Sequence, residues 1–241
     1  MSRRDRPVPP PVRLEPGVGG NDAAVLGAIH AGARVLEPGA RPGSRRRRRL
    51  LVLQPRDLPE LHALPTGVLP PAPEAGLLLL VAPDPGVGGH SRDRDARDWA
   101  ARLQLPCLEP GGLQEAYDMS FDAFELSERF LLPVVLRTVP RLAAREGCVR
   151  VRSGGPPRTG PGPAGHREEL DDDLARAGHS LLIPSMDGSS LAVVTAGMAR
   201  RDYLECADEL SLRPWHLHVG AYPFPAAAIE RLVRECDTLL V

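Results

Sequence analysis

A chain of 241 residues, 42% hydrophobic and 25% charged, is long enough to bury one large core or two small ones. Its formal net charge of −1 gives no general case for a nucleic-acid or anionic-membrane partner, and its longest apolar run, Leu77 to Ala82, is far too short to span a bilayer. All 30 Lys/Arg positions are arginine, which excludes a Schiff-base lysine and a lysine-bearing phosphate loop.

Residues 1–13 are rich in proline and arginine and read as an unstructured leader. They contain no apolar stretch of the secretory kind, so a cytoplasmic location is expected. Asn21 caps a predicted helix with Asp22 in its first turn and Val25, Ala28 and Ile29 as its apolar face. Gly32 ends that helix before a short strand at Arg34-Val35-Leu36 and a Pro/Gly loop. Five arginines, Arg45 to Arg49, follow without interleaved aromatics. They read as a solvated loop, or as coding material out of frame, in preference to a nucleic-acid patch. The glycines at Gly17-Val18-Gly19-Gly20 and Gly86-Val87-Gly88-Gly89 complete no G-x-G-x-x-G and read as turns. Arg92 to Leu103 is a predicted helix with Trp99 and Leu103 on one face.

From Leu113 to Phe130 the apolar residues Leu113, Ala116, Tyr117, Ala123, Phe124 and Phe130 make the stripe of a helix on a core. Gly111-Gly112 breaks the chain before it, Glu115 and Asp118 favour its amino end, and Pro133 stops it. Val134-Val135-Leu136 then reads as a strand buried on both faces, and helix followed by buried strand places the chain in the α/β class. Between Arg141 and Gly178 the apolar period collapses, and this stretch reads as an interdomain linker. Its acidic run, Glu168 to Asp173, reads as a solvated helix start and not as a metal site. The last sixty residues or so alternate strand and helix: Leu191 to Thr195, Ala199 to Leu210 with Tyr203, Leu204 and Ala207 inward, Trp215 to Val219, Ile229 to Cys236, and Thr238 to Val241. That alternation implies a parallel sheet. His216 and His218 share a strand face, but no third ligand is identifiable, so they read as an edge or interface pair. Cys107, Cys148, Cys206 and Cys236 lie far apart, lack the spacing of an iron–sulfur site and are expected to be reduced.

The segments Leu108-Glu109-Pro110, Gln114 to Met119, Ala123 to Phe130 and Pro133 to Thr138 together resemble the α subunit of indolepyruvate ferredoxin oxidoreductase, a thiamine-diphosphate-dependent 2-oxoacid oxidoreductase. Gly197 after a strand and Tyr222-Pro223-Phe224-Pro225 before the last helix extend the resemblance to the carboxyl end. It implies an incomplete pyrimidine-binding-type domain at 14–140 with an internal deletion after Ser44, a linker at 141–177, and a transketolase C-terminal-like parallel-sheet domain at 178–241.

The resemblance also implies site residues. The family's Gly-Tyr-Pro-Gly-Thr-Pro-Ser-Ser loop corresponds to Glu37 through Ser44, so that Pro38 and Gly39 are remnants of a cofactor-binding loop. The family's tyrosine is replaced by Glu37 and its threonine by Ala40 or Arg41. His90 and Asp95 correspond to a His-Ser pair and an Asp-Ser-Arg in the next loop. The family's glutamate on the aminopyrimidine has no counterpart: Asp57, Glu60 and Glu74 each lie close to a proline. No catalytic residue and no metal ligand therefore carries over. Family cofactors are thiamine diphosphate with Mg²⁺ and iron–sulfur clusters; family partners are ferredoxin and a second oxidoreductase subunit, with self-association also open. The expectation is an α-subunit-like fragment that binds no cofactor alone and is not catalytic alone. The alternatives are activity with a partner chain that supplies the diphosphate-binding domain, or a non-catalytic subunit scaffold.

Overall fold

The computed structural model describes residues 13–36, 47–58, 76–83, 95–152 and 167–241. The first half runs β1 (Arg13–Gly19), α1 (Gly20–His30), β2 (Arg34–Leu36), β3 (Arg49–Leu53), β4 (Leu77–Val81), α2 (Ala96–Arg102), β5 (Cys107–Leu108), α3 (Leu113–Phe130) and β6 (Val134–Arg137). The second half runs α4 (Pro140–Ala143), β7 (Glu146–Val151), α5 (Arg167–Arg176), β8 (Leu181–Ile183), β9 (Leu191–Ala196), α6 (Ala199–Glu209), β10 (Trp215–Val219), β11 (Ala221–Tyr222), α7 (Ala226–Glu235) and β12 (Thr238–Leu240).

Alternation along β4 organises the molecule. All five of its residues are buried, Leu78 and Leu80 toward one core and Leu77, Leu79 and Val81 toward the other. Val134 and Leu136 of β6 repeat the first orientation and Val135 the second, so the sheet is covered on both faces, as parallel sheets are. Its order is β2-β3-β4-β6-β5-β11, parallel except for β11. On one face α1 lies against α3, Ala23, Ala24 and Ala28 meeting Ala116, Tyr117 and Phe124. Gly27 allows this approach: a Cβ there would stand 2.2 Å from the Tyr117 carbonyl oxygen. Gly27→Ala is therefore expected to cost about 1–3 kcal/mol in urea unfolding, where an exposed helix glycine would gain ~1 kcal/mol from the same change. A neutral result would show that the two helices separate easily.

The opposite face carries Trp99 and Ala100 of α2 and, in the same core, Ala192, Leu217, Val219 and Leu232 from the carboxyl-terminal part. That part forms a second sheet, β12-β9-β10-β8, with β8 antiparallel. It shares a core with the first sheet, and its β11 completes the first sheet's edge through Ala221↔Leu108 and Tyr222↔Cys107.

Several expectations are corrected. The stretch read as a linker contains α4, β7 and α5; β7 pairs antiparallel with β1, and Leu170 and Leu174 of α5 are buried. Asp173 is tied to Arg129 and Arg176, and no group of three metal-ligating side chains occurs among the described residues. The arginine run is not all solvated: Arg48 and Arg49 are buried, and Arg48 forms a bidentate pair with Glu128 at 2.6 and 2.8 Å. Ile29 and Leu204, read as inward-facing, are 49% and 43% exposed. Gly17-Val18-Gly19-Gly20 is the end of β1 and the start of α1, with Gly20 pressed against the Leu142 carbonyl.

His216 and His218 are neither an edge pair nor an interface pair. They sit on β10 between β9 and β8, and both rings hydrogen-bond the Thr195 hydroxyl, at 2.9 and 3.4 Å. Burial, followed by the neighbouring His218 and Arg200, lowers His216 to about 4; burial and Arg200 lower His218 to about 4. Both rings are thus neutral when folded, and the unfolded chain takes up protons first. Their contribution is complete above pH ~6.5 and is lost as pH falls toward about 4, on the order of 3 kcal/mol each at most. Unfolding free energy measured from pH 7 to 4 is expected to fall across this window, and less steeply in His218→Gln.

Candidate functional site

In an open parallel sheet, ligands meet the chain beyond the carboxyl ends of the strands. Here those ends deliver a set of polar side chains. Asn21, in the first turn of α1, donates from Nδ2 to the Pro83 carbonyl at 3.3 Å and accepts from the Thr138 hydroxyl at 2.7 Å. Asn21 does not cap its own helix, as the sequence suggested; Gly19 holds the cap position without a side-chain bond. Thr138 follows β6 and also reaches the Val81 carbonyl at the end of β4, so one hydroxyl ties α1 to two strand ends.

Beside this lies a charged network. Asp95 caps α2 by accepting from the Arg97 backbone N–H, and its carboxylate takes the Arg97 guanidinium at 2.6 Å. Glu109, directly after β5, forms an ion pair with Arg137 Nη1 at 2.6 Å and accepts a hydrogen bond from the Tyr222 hydroxyl at 3.2 Å. Arg137 Nε stands 3.5 Å from Asp95, and Arg97 Nη1 stands 3.9 Å from Glu109. Two carboxylates and two guanidiniums therefore alternate and balance. Burial opposes ionisation of Asp95, but the Arg97 bonds and the Arg137 charge outweigh it and hold the carboxyl below its ordinary range. Burial and the nearby Glu109 push the Tyr222 phenol up to about 12, and burial keeps the Cys107 thiol protonated. At neutral pH this cluster offers no free acid, base or nucleophile. It is a brace that holds α2, β5, β6 and β11 together.

Of the residues expected at a cofactor site, Asp95 is in this network, while Pro38, Gly39 and His90 lie outside the described residues. Asn21, read only as a helix cap, and Arg97, Glu109, Arg137, Thr138 and Tyr222 were not expected at the site from sequence. Five of the six fall within segments that carry the resemblance, but their periodicity speaks only of helix and strand. Asp57 makes a capping box with Gln54 at Pro55–Asp57, accepting the Gln54 backbone N–H at 2.8 Å. Glu60 and Glu74 lie outside the described residues.

No family model matches the chain. Its fold is similar to that of a 2-oxoglutarate:ferredoxin oxidoreductase from Magnetococcus marinus, at TM-score 0.65 and 12% identity, over 95% of this chain and 57% of the other. That protein is described with 2-oxoglutarate, coenzyme A and succinyl-CoA bound. A split-gene transketolase in an inactive β4 tetramer gives TM-score 0.53 and 11% identity over 92% of this chain and 78% of its own. These are likenesses of fold alone, and they define an α/β protein with a transketolase-like fold. Sequence narrows the relationship. Over 189 residues the chain is 34% identical to indolepyruvate oxidoreductase subunit IorA of Methanothermobacter thermautotrophicus, covering 69% of this chain and 31% of that one. It is 40% identical over 74 residues to the same subunit of Pyrococcus horikoshii, covering 31% of this chain and 11% of that one. The chain is similar to subunit IorA of indolepyruvate oxidoreductase and spans about a third (31%) of the length of the first such relative.

Proposed function

We propose that the chain is an α-subunit-like segment of a 2-oxoacid:ferredoxin oxidoreductase of the indolepyruvate type, that it forms the wall of a thiamine-diphosphate site, and that it does not turn over a substrate by itself. The domain scheme belongs to the same proposal: a pyrimidine-binding-like part shortened after Ser44, followed by a transketolase C-terminal-like part. Thiamine chemistry needs a carboxylate that bonds the coenzyme's aminopyrimidine, and the protein contributes orientation and electrostatics to a reaction the coenzyme carries.

The observation that supports this reading is the pairing of carboxylates along the strand ends. Glu109 is held by Arg137 and Tyr222, Asp95 by Arg97 and Arg137, and Asp57 by the Gln54 backbone. Among the described residues none of these is free to meet a pyrimidine. The described residues therefore do not fit the coenzyme's need for an activating acid, and no step is routed through it. Titration calorimetry of the chain with thiamine diphosphate and Mg²⁺ is expected to give no heat of binding. A micromolar dissociation constant would overturn the reading.

A partner-dependent reading has one observation in its favour. β2 is the edge of the main sheet, and Val35 on it and Ile29 at the adjacent helix end are 44% and 49% exposed. A second subunit or a second copy covering that edge would bring the missing groups. Viologen reduction on indolepyruvate by a co-purified complex, absent for the chain alone, is the outcome this second reading requires. Ferredoxin would be the acceptor in that assembly. No described helix is long and apolar enough to cross a membrane.

A further inference from the structure

A cavity of about 820 Å³ opens along α2, between that helix, the start of α5 and the turn after β11. Its floor is apolar: Ala100, Leu105 and Pro106 on one side and Leu170 on the other. Its aromatic wall is Tyr222 with Phe224 set edge-on to it at 5.0 Å, and Phe224 keeps 56% of its surface exposed. The volume lies in the range of sites that enclose small organic ligands, about 300–1,000 Å³.

Charge selects the ligand. Among the described residues, Asp95, Asp98 and Asp171 line the cavity with one cation, Arg97. Arg97 is committed, its Nη2 bonded to Asp95 at 2.6 Å and its guanidinium stacked 5.9 Å over the Tyr222 ring. Neither Asp98 nor Asp171 is joined to a basic side chain among the described residues. Among the described lining residues an anion would meet surplus negative charge and no unpaired donor cation. A cation with a flat apolar body would satisfy the acidic rim and lay its ring on Phe224.

We infer that this cavity is a binding site for an organic cation of the arylalkylammonium class. The inference goes beyond the oxidoreductase reading: the cavity shares Asp95, Arg97 and Tyr222 with the strand-end brace, and its acidic lining disfavours a 2-oxoacid anion.

A matched pair of probes tests it on the full chain: 2-phenylethylammonium and 3-phenylpropionate, which share a ring and differ in sign. Ligand-observed NMR and calorimetry at low salt are expected to give the ammonium a dissociation constant on the order of 10⁻⁴ M and the carboxylate one at least about tenfold weaker. The double variant Asp98→Asn/Asp171→Asn is expected to weaken the ammonium about 5–10-fold, since each exposed charge pair accounts for about 2–5-fold. Phe224→Ala is expected to weaken it about 3–5-fold. All three positions are exposed, and a circular dichroism spectrum matching the parent confirms that the variants fold. Equal binding of the two probes, ammonium binding unchanged in the Asp98/Asp171 variant, or no binding of the ammonium at about 10 mM would each overturn the inference.

Discussion

Glu128→Ala is expected to destabilise the chain by about 3–5 kcal/mol, the cost of breaking a buried ion pair by removing one partner. Arg48 and Glu128 are each only 7% exposed and meet through two parallel N–H···O bonds of 2.6 and 2.8 Å. The Arg48 guanidinium also donates to the Ala31 carbonyl at 3.0 Å and lies 5.5 Å over the Phe124 ring. Removing the carboxylate takes from that buried cation its bidentate anionic partner. Arg48→Met breaks the same buried pair from the other side and should cost a similar amount. The double variant Arg48→Met/Glu128→Leu removes both charges and is expected to recover most of the loss, so a double-mutant cycle in urea should show strong non-additivity. A single-variant cost below about 1 kcal/mol would mean that water reaches the pair and screens it as at a surface.

The same pair shows where sequence reasoning stops. Arg48 belongs to a run of five arginines, and composition alone reads such a run as solvated. Its partner is 80 positions away on α3, and only the parallel stacking of β3 on β4 brings the two together. By contrast α3 was legible to the residue, because Gly111-Gly112 and Pro133 punctuate it and its apolar stripe is strong. β6 was legible for a related reason: a strand buried on both faces leaves an unbroken apolar run. β7 was not. Its six residues Glu146–Val151 bury only Val149, and what makes them a strand is pairing with β1, more than a hundred residues earlier. β11 is two residues long and exists because β5 offers an edge. Of the candidate site, only the resemblance led to Asp95; the rest of the brace is made of side chains whose partners are set by tertiary contact.

Glu109 is the second position where one substitution should have a large effect. The carboxylate is 5% exposed and accepts from both Arg137 and Tyr222, with Arg97 at 3.9 Å. Glu109→Gln preserves shape but leaves two guanidiniums facing one remaining carboxylate, Asp95. The expected cost is about 2–4 kcal/mol in chemical denaturation, and Tyr222→Phe, which removes one neutral hydrogen bond, should cost about 1 kcal/mol. The location of the damage is more informative than its size. Gly197, at φ +47° after β9, lies so close to Glu109 that a Cβ there would stand 2.7 Å from Oε1, and Gly111 approaches the Gly197 carbonyl in the same way. Glu109 therefore sits where the carboxyl-terminal sheet docks on the first. Amide exchange in Glu109→Gln is expected to speed up in β11 and at the ends of β9 and β10 while β4 and β6 stay protected, because the shared core on the other side of the sheet is untouched. Uniform acceleration across both sheets would instead show that the brace supports global stability and has no special role in docking. Unchanged exchange at β11 would show that Tyr222 and the shared apolar core hold the edge without the carboxylate.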